Sequence, residues 1–183
     1  MDKNRRSESG KIALCGVFGA LAIVIMLMGS VIPFATFVAP AFAGILIVPV
    51  VIEYGFGSGA LLYLAISLLA LFLAPDKEMA LIFIFFLGYY PMAKAKLDRI
   101  RLKIMQWIAK FALFNASIAA MYGGILFLFP IASVVAEFEE SGVPLLFLLL
   151  VMGNLTFVLY DVALCRIIGL YLQKLRPRFV KMH

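Results

Sequence analysis

The chain holds one histidine, and it is the last residue, His183. It holds two cysteines, Cys15 and Cys165, far apart in sequence and each inside an apolar run. Zinc and haem centres need imidazole or thiolate ligands at short spacing, so neither has support here and no cofactor is expected. The two thiols read as inert and buried rather than as a disulfide. Charge is scarce as well: 14% of the 183 residues are Asp, Glu, Lys or Arg, against about 25% in a soluble domain. With no Ser/His/Asp set and no acids clustered on one face, the chain is read as a non-enzyme. Gly55-Phe56-Gly57-Ser58-Gly59 carries a GxGxG pattern, but no soluble strand precedes it, so phosphate cradling is a poor reading.

What the chain has instead is apolar surface, 65% of its residues. No soluble fold hides that much, so the class is integral membrane protein. Membrane barrels alternate apolar and polar residues along each strand, whereas Ala80 to Leu87 and Leu145 to Met152 show no alternation. The expected fold is therefore all-α, a single six-helix transmembrane bundle over residues 1–183. About 20 residues cover the hydrocarbon core, which places spans at 12–32, 37–54, 60–74, 79–92, 107–129 and 145–172. The first run is too long for a signal peptide, whose apolar region is about 7–15 residues.

Punctuation fits that division. Pro33 and Pro130 end helices, Pro40 fits a first turn, and Pro49 is expected to kink the second span or free a carbonyl. Asp76 is placed to cap the fourth span. Glu137, Glu139 and Glu140 read as an outer loop closed by Gly142 and Pro144. After Met92 come five cations in ten residues: Lys94, Lys96, Arg99, Arg101 and Lys103. Leu97, Ile100, Ile104 and Ile108 recur among them at helical spacing, as in a helix lying on the membrane surface.

Counting charges orients the bundle. Fifteen of the sixteen Lys/Arg fall at one set of ends, and only Lys77 falls at the other, with five of the ten acids. Lys and Arg favour the cytoplasmic side, so both termini are expected there, in a cell membrane. The net charge of +6 is thereby explained without nucleic acid as a partner.

Polar residues at membrane depth are costly, which makes them functional candidates. Helical rise puts Asn154 and the Tyr89-Tyr90 pair roughly 15 Å from the outer end, Tyr122 roughly 10 Å and Asn115 roughly 20 Å. Either they converge on an outward-facing site for a small ring-bearing ligand, or the two asparagines bond across helices, each worth about 0.6 kcal/mol. Lys110 and Asp161 lie near the inner ends of neighbouring spans and are expected to form an ion pair. A proton relay through Asp161 is a further alternative. On the first helix Ala13, Gly16 and Ala20 form a small-residue stripe, for packing inside the subunit or docking another helix.

Size, six spans and the small stripe together resemble the S component, the substrate-binding membrane subunit of energy-coupling factor (ECF) vitamin transporters. Gly16-xxx-Ala20 stands where that family carries alanine-xxx-alanine. The stretch from Pro40 to Pro49 with the glycine-rich turn after it is similar to the family's second-helix region. The resemblance implies a vitamin-like small molecule bound on the outer side, a transmembrane coupling subunit docked on the first helix, and two ATPase subunits. The alternatives are a structural or morphogenetic membrane scaffold and a self-sufficient transporter or channel.

Overall fold

The computed structural model describes residues 2–32, 35–127 and 132–175, with helices throughout and no strand among them. The helices are α1 (Asp2–Gly29), α2 (Val38–Ile45), α3 (Ile47–Leu73), α4 (Lys77–Ile82), α5 (Tyr90–Leu97), α6 (Lys103–Phe127) and α7 (Ala132–Leu170). A π-helical turn, Phe83–Leu87, follows α4, and another, Tyr171–Leu175, follows α7. Among the described residues five helical stretches are long and apolar enough to cross a membrane: Glu8–Gly29, Ile47–Leu73, Lys77–Leu97, Lys103–Gly124 and Leu150–Gln173. Their outer faces carry exposed Leu61, Leu64, Leu68 and Phe72, while charged Lys94, Lys110 and Asp161 lie inside. Apolar outside and charge within is the reverse of a water-soluble domain and suits lipid.

The second of these stretches, Ile47–Leu73, hides a reversal. Gly55 has φ +83 and ψ 175, a conformation open to glycine and strained for other residues. Gly59 packs on the Val51 side chain, so the chain folds back there. Gly10 meets the Tyr54 hydroxyl while Gly29 meets Ala39, so residues 38–54 lie antiparallel to α1. The break within that run comes at Leu46, where α2 ends and α3 begins. Pro49 then sits in the first turn of α3, where its missing N–H costs nothing, so the chain bends three residues ahead of the proline.

Between Lys77 and Leu97 the helix is interrupted rather than continuous. The Gly88 N–H bonds the Phe83 carbonyl, five residues back, at 2.8 Å. That leaves the Ile84 carbonyl without its usual donor, and the Tyr63 hydroxyl of α3 donates to it at 2.6 Å. Pro91 has no N–H for the Leu87 carbonyl, and the Tyr160 hydroxyl of α7 takes its place at 3.1 Å. A Cβ on Gly44 would strike that same carbonyl oxygen, so glycine lets α2 close on the interruption. At the start of this stretch the Met79 N–H donates to Asp76 Oδ1 at 3.1 Å, the expected cap.

Three sequence expectations change. Residues 94–103 do not form one surface helix: α5 stops at Leu97, 98–102 is non-helical, and α6 starts at Lys103. The apolar repeat Leu97, Ile100, Ile104, Ile108 therefore spans two elements. Gly142 and Pro144 do not close a loop, since the backbone is helical from Ala132 to Leu170. Cys165 is exposed on α7 rather than buried. Pro33 and Pro130 lie outside the described residues.

Two cores fill the bundle. One joins α1 to α4 through Ala22, Met26, Ile47, Ile66, Met79 and Phe83. The other is aromatic: Phe114 and Phe157 stack at 4.9 Å, and Phe86 meets Tyr90 at 4.8 Å and Phe114 at 5.0 Å. In lipid no hydrophobic effect drives helices together, so close ring packing, about 0.5–1.5 kcal/mol per pair, carries much of the association.

Candidate functional site

Among the described residues, buried charge gathers at one place, where α5, α6 and α7 meet beside the 98–102 loop. Lys94 Nζ lies 2.5 Å from Asp161 Oδ1 and 3.3 Å from Asp98 Oδ2. Lys110 Nζ lies 3.1 Å from Asp161 Oδ2 and 2.7 Å from Asp98 Oδ1. The four groups close a ring in which cations and anions alternate. Two further donors serve it: the Tyr90 hydroxyl donates to Asp161 Oδ1 and the Gln106 amide to Asp98 Oδ1, each at 2.5 Å.

Burial divides the ring. Lys94, Lys110 and Asp161 are 1, 3 and 3% exposed, whereas the Asp98 side chain is 38% exposed. Asp98 lies outside the spanning helices. Burial raises its carboxyl pKa, but the Lys110 ammonium bonded to it and the Lys94 charge outweigh this and hold it below its ordinary value. Charges taken from water lose hydration, and a closed two-plus-two set returns it through mutual contact. Such a ring holds three helices and a loop in register.

The expected Lys110–Asp161 pair is thus one edge of a larger set. Sequence alone does not announce Lys94 and Asp98, because charged residues just after a span read as a solvated boundary. Their signal was spacing: Tyr90, Lys94 and Asp98 recur at i, i+4 and i+8, one face of one helical stretch.

The residues expected to line an outer site separate. Tyr90, fully buried, turns its hydroxyl to Asp161 and packs tilted and edge-on in the aromatic core. Tyr89 turns to Ser117 at 2.5 Å; Ser117 gives its proton to the Leu113 carbonyl (2.7 Å), so Tyr89 is the donor. Asn115 and Asn154 bond each other reciprocally, Nδ2 to Oδ1, at 3.1 and 3.2 Å. Each also donates to the carbonyl four residues back, Phe111 and Leu150, both at 2.8 Å. All four amide hydrogens are therefore used between α6 and α7. Tyr122 packs half-buried against the aromatic core.

The small-residue stripe has the opposite character. Ala13, Gly16 and Ala20 are exposed, and a Cβ on Gly16 would meet nothing within 4 Å. Gly19, beside them, does pack inside, on Leu62. Between α1 and α3 runs a groove of about 760 Å³ that includes Gly16, Ala20, Cys15, Leu61 and Leu69. No protein-family model, curated protein or solved structure matches the chain.

Proposed function

We propose that the chain is the substrate-binding membrane subunit of an ECF-type uptake transporter for a vitamin-like small molecule, docking its coupling subunit through α1. The observation that carries this reading is the open Gly16–Ala20 stripe on its groove, a face that packing among the described residues leaves uncovered and small residues suit to close helix approach.

Six crossings of the cell membrane, with both termini cytoplasmic, belong to the same reading. The reversal at Gly55 supports counting 38–54 and 56–73 as two crossings. Gly10, Tyr54, Phe56 and Lys96 share one end of the bundle, with the Lys96 ammonium 4.5 Å over the Phe56 ring. Lys77 lies at the other, capping the Leu71 and Ala74 carbonyls at 2.8 and 2.9 Å. Arg99, Arg101 and Lys103 fall with the first set, the end that positive charge keeps in the cytoplasm. On this topology a ligand enters the outer half of α6 and α7, and the Asn115–Asn154 pair opens before either amide bonds it.

A second reading, a membrane scaffold without transport, is favoured by that saturated pair and by the filled aromatic core. Purifying the tagged full-length protein from its own membranes separates the two. Co-purification of a transmembrane subunit with ATPases, and retention of a small molecule, is expected; neither appears for a scaffold.

A further inference from the structure

Asp98 is the one acid between Lys94 and Lys103, and both its oxygens are committed inside the ring, Oδ2 to Lys94 and Oδ1 to Lys110 and Gln106. With two lysines and two aspartates the ring is neutral by itself. Among the described residues exposed Lys96, Arg99, Arg101 and Lys103 join no ion pair, Lys96 resting instead over the Phe56 ring. Arg99 and Arg101 lie on the 98–102 loop, with Lys96 and Lys103 at the helix ends on either side; the loop joins two stretches able to cross the membrane, Lys77–Leu97 and Lys103–Gly124, so it lies where lipid meets water. Beside these cations Leu102, Ile104 and Ile108 are exposed, Ile104 by 77%. Cations next to bare apolar side chains at this depth match a molecule with a phosphate head and acyl tails.

We propose that this loop and the two lysines flanking it are a built site for the headgroup phosphate of an anionic phospholipid, and that the ion-pair ring gives the site its shape by pinning Asp98, the loop's first residue. The inference rests on the membrane setting and not on transport. Inorganic phosphate offers the same kind of anionic oxygens, but it has no use for the apolar side chains, so the lipid is the occupant.

A merely diffuse attraction and a built site predict opposite signs for one variant. Asp98→Asn adds a positive charge to the region, so diffuse attraction tightens binding of anionic lipid. In a built site the same change unpins the loop and weakens binding. The measurement is native mass spectrometry of the full-length protein with phosphatidylglycerol and phosphatidylcholine of equal chain length, at low salt. Wild type is expected to prefer phosphatidylglycerol. Arg99→Gln with Arg101→Gln, two surface changes that spare the fold, should weaken that binding about twenty-five-fold, at about fivefold per cation near the surface. Asp98→Asn should weaken it about threefold or more, and Gln106→Ala, which alters no charge, should weaken it about twofold as one bond to Asp98 is lost. Should Asp98→Asn not fold, Gln106→Ala carries the same test. Equal or tighter binding in both Asp98→Asn and Gln106→Ala, or no loss in the arginine double variant, overturns the proposal. So does displacement of phosphatidylglycerol by an equal concentration of inorganic phosphate.

Discussion

Tyr160 gives its hydroxyl hydrogen to the carbonyl that Pro91 leaves without a partner: the bond to Leu87 O spans 3.1 Å between α7 and the interrupted helix. Tyr160→Phe should cost about 1 kcal/mol, because a buried carbonyl is then orphaned. Adding Pro91→Ala restores an N–H at the right place, so the double variant should be more stable than Tyr160→Phe alone. Thermal unfolding in one detergent checks this; additive losses would mean the hydroxyl and the proline are unrelated.

The ion-pair ring should behave as a unit. Asp161→Asn leaves two buried ammoniums sharing the single Asp98 carboxylate, a break of the kind that costs about 3–5 kcal/mol. Lys110→Met alone should be similarly harmful, and the double variant should recover part of the loss, since it removes one charge of each sign. A double variant as unstable as the sum of the singles contradicts the ring.

Acid should loosen the ring at its exposed corner. The Asp98 carboxyl is held below its ordinary value, so its contribution is complete above the unfolded value of about 3.9 and disappears as pH falls through the lower folded one. Between pH 6 and 3, wild type should lose thermal stability more steeply below about pH 4 than Asp98→Asn does. Parallel curves would remove Asp98 from the account.

Much of this arrangement was legible from residue types. Helices over strands, Asp76 as a cap and Lys110 meeting Asp161 all follow from local patterns or from depth along a helix. The π-helical turn was not legible, because one extra residue in a turn leaves the apolar run Phe83–Leu87 looking like any other. Its consequences, Tyr63 on Ile84 and Tyr160 on Leu87, are contacts between distant helices that no spacing announces. Lys94 was hidden by its neighbours: four solvated cations around it made a buried one look ordinary. Depth placed Asn115 and Asn154 near each other, but only their rotation about each helix axis made them partners.

That amide pair makes a prediction of its own. Asn115→Ala and Asn154→Ala should lower stability by similar amounts, with a coupling energy of about 0.6 kcal/mol in the double-variant cycle. Zero coupling would mean the reciprocal bonds contribute nothing.

The reversal at Gly55 distinguishes six crossings from five. A Cβ on Gly57 would meet nothing within 4 Å, so Gly57→Cys should fold normally. With six crossings it labels from the cytoplasmic side, as Arg101→Cys does, while Pro75→Cys labels from outside. Protection of Gly57→Cys from water-soluble reagents on both sides would place it in the hydrocarbon core and restore a single crossing.

Docking through α1 is tested most directly by Ala20→Leu. Ala20 is exposed and lines the groove, so the added bulk meets no internal neighbour and should leave unfolding temperature and folded yield unchanged. The measurement is co-purification of coupling and ATPase subunits with the tagged chain from native membranes, wild type beside Ala20→Leu. Subunits captured by wild type and lost from the folded variant are the expected result. Capture of no subunit by wild type, or equal capture by both, would contradict a coupling partner seated on this face.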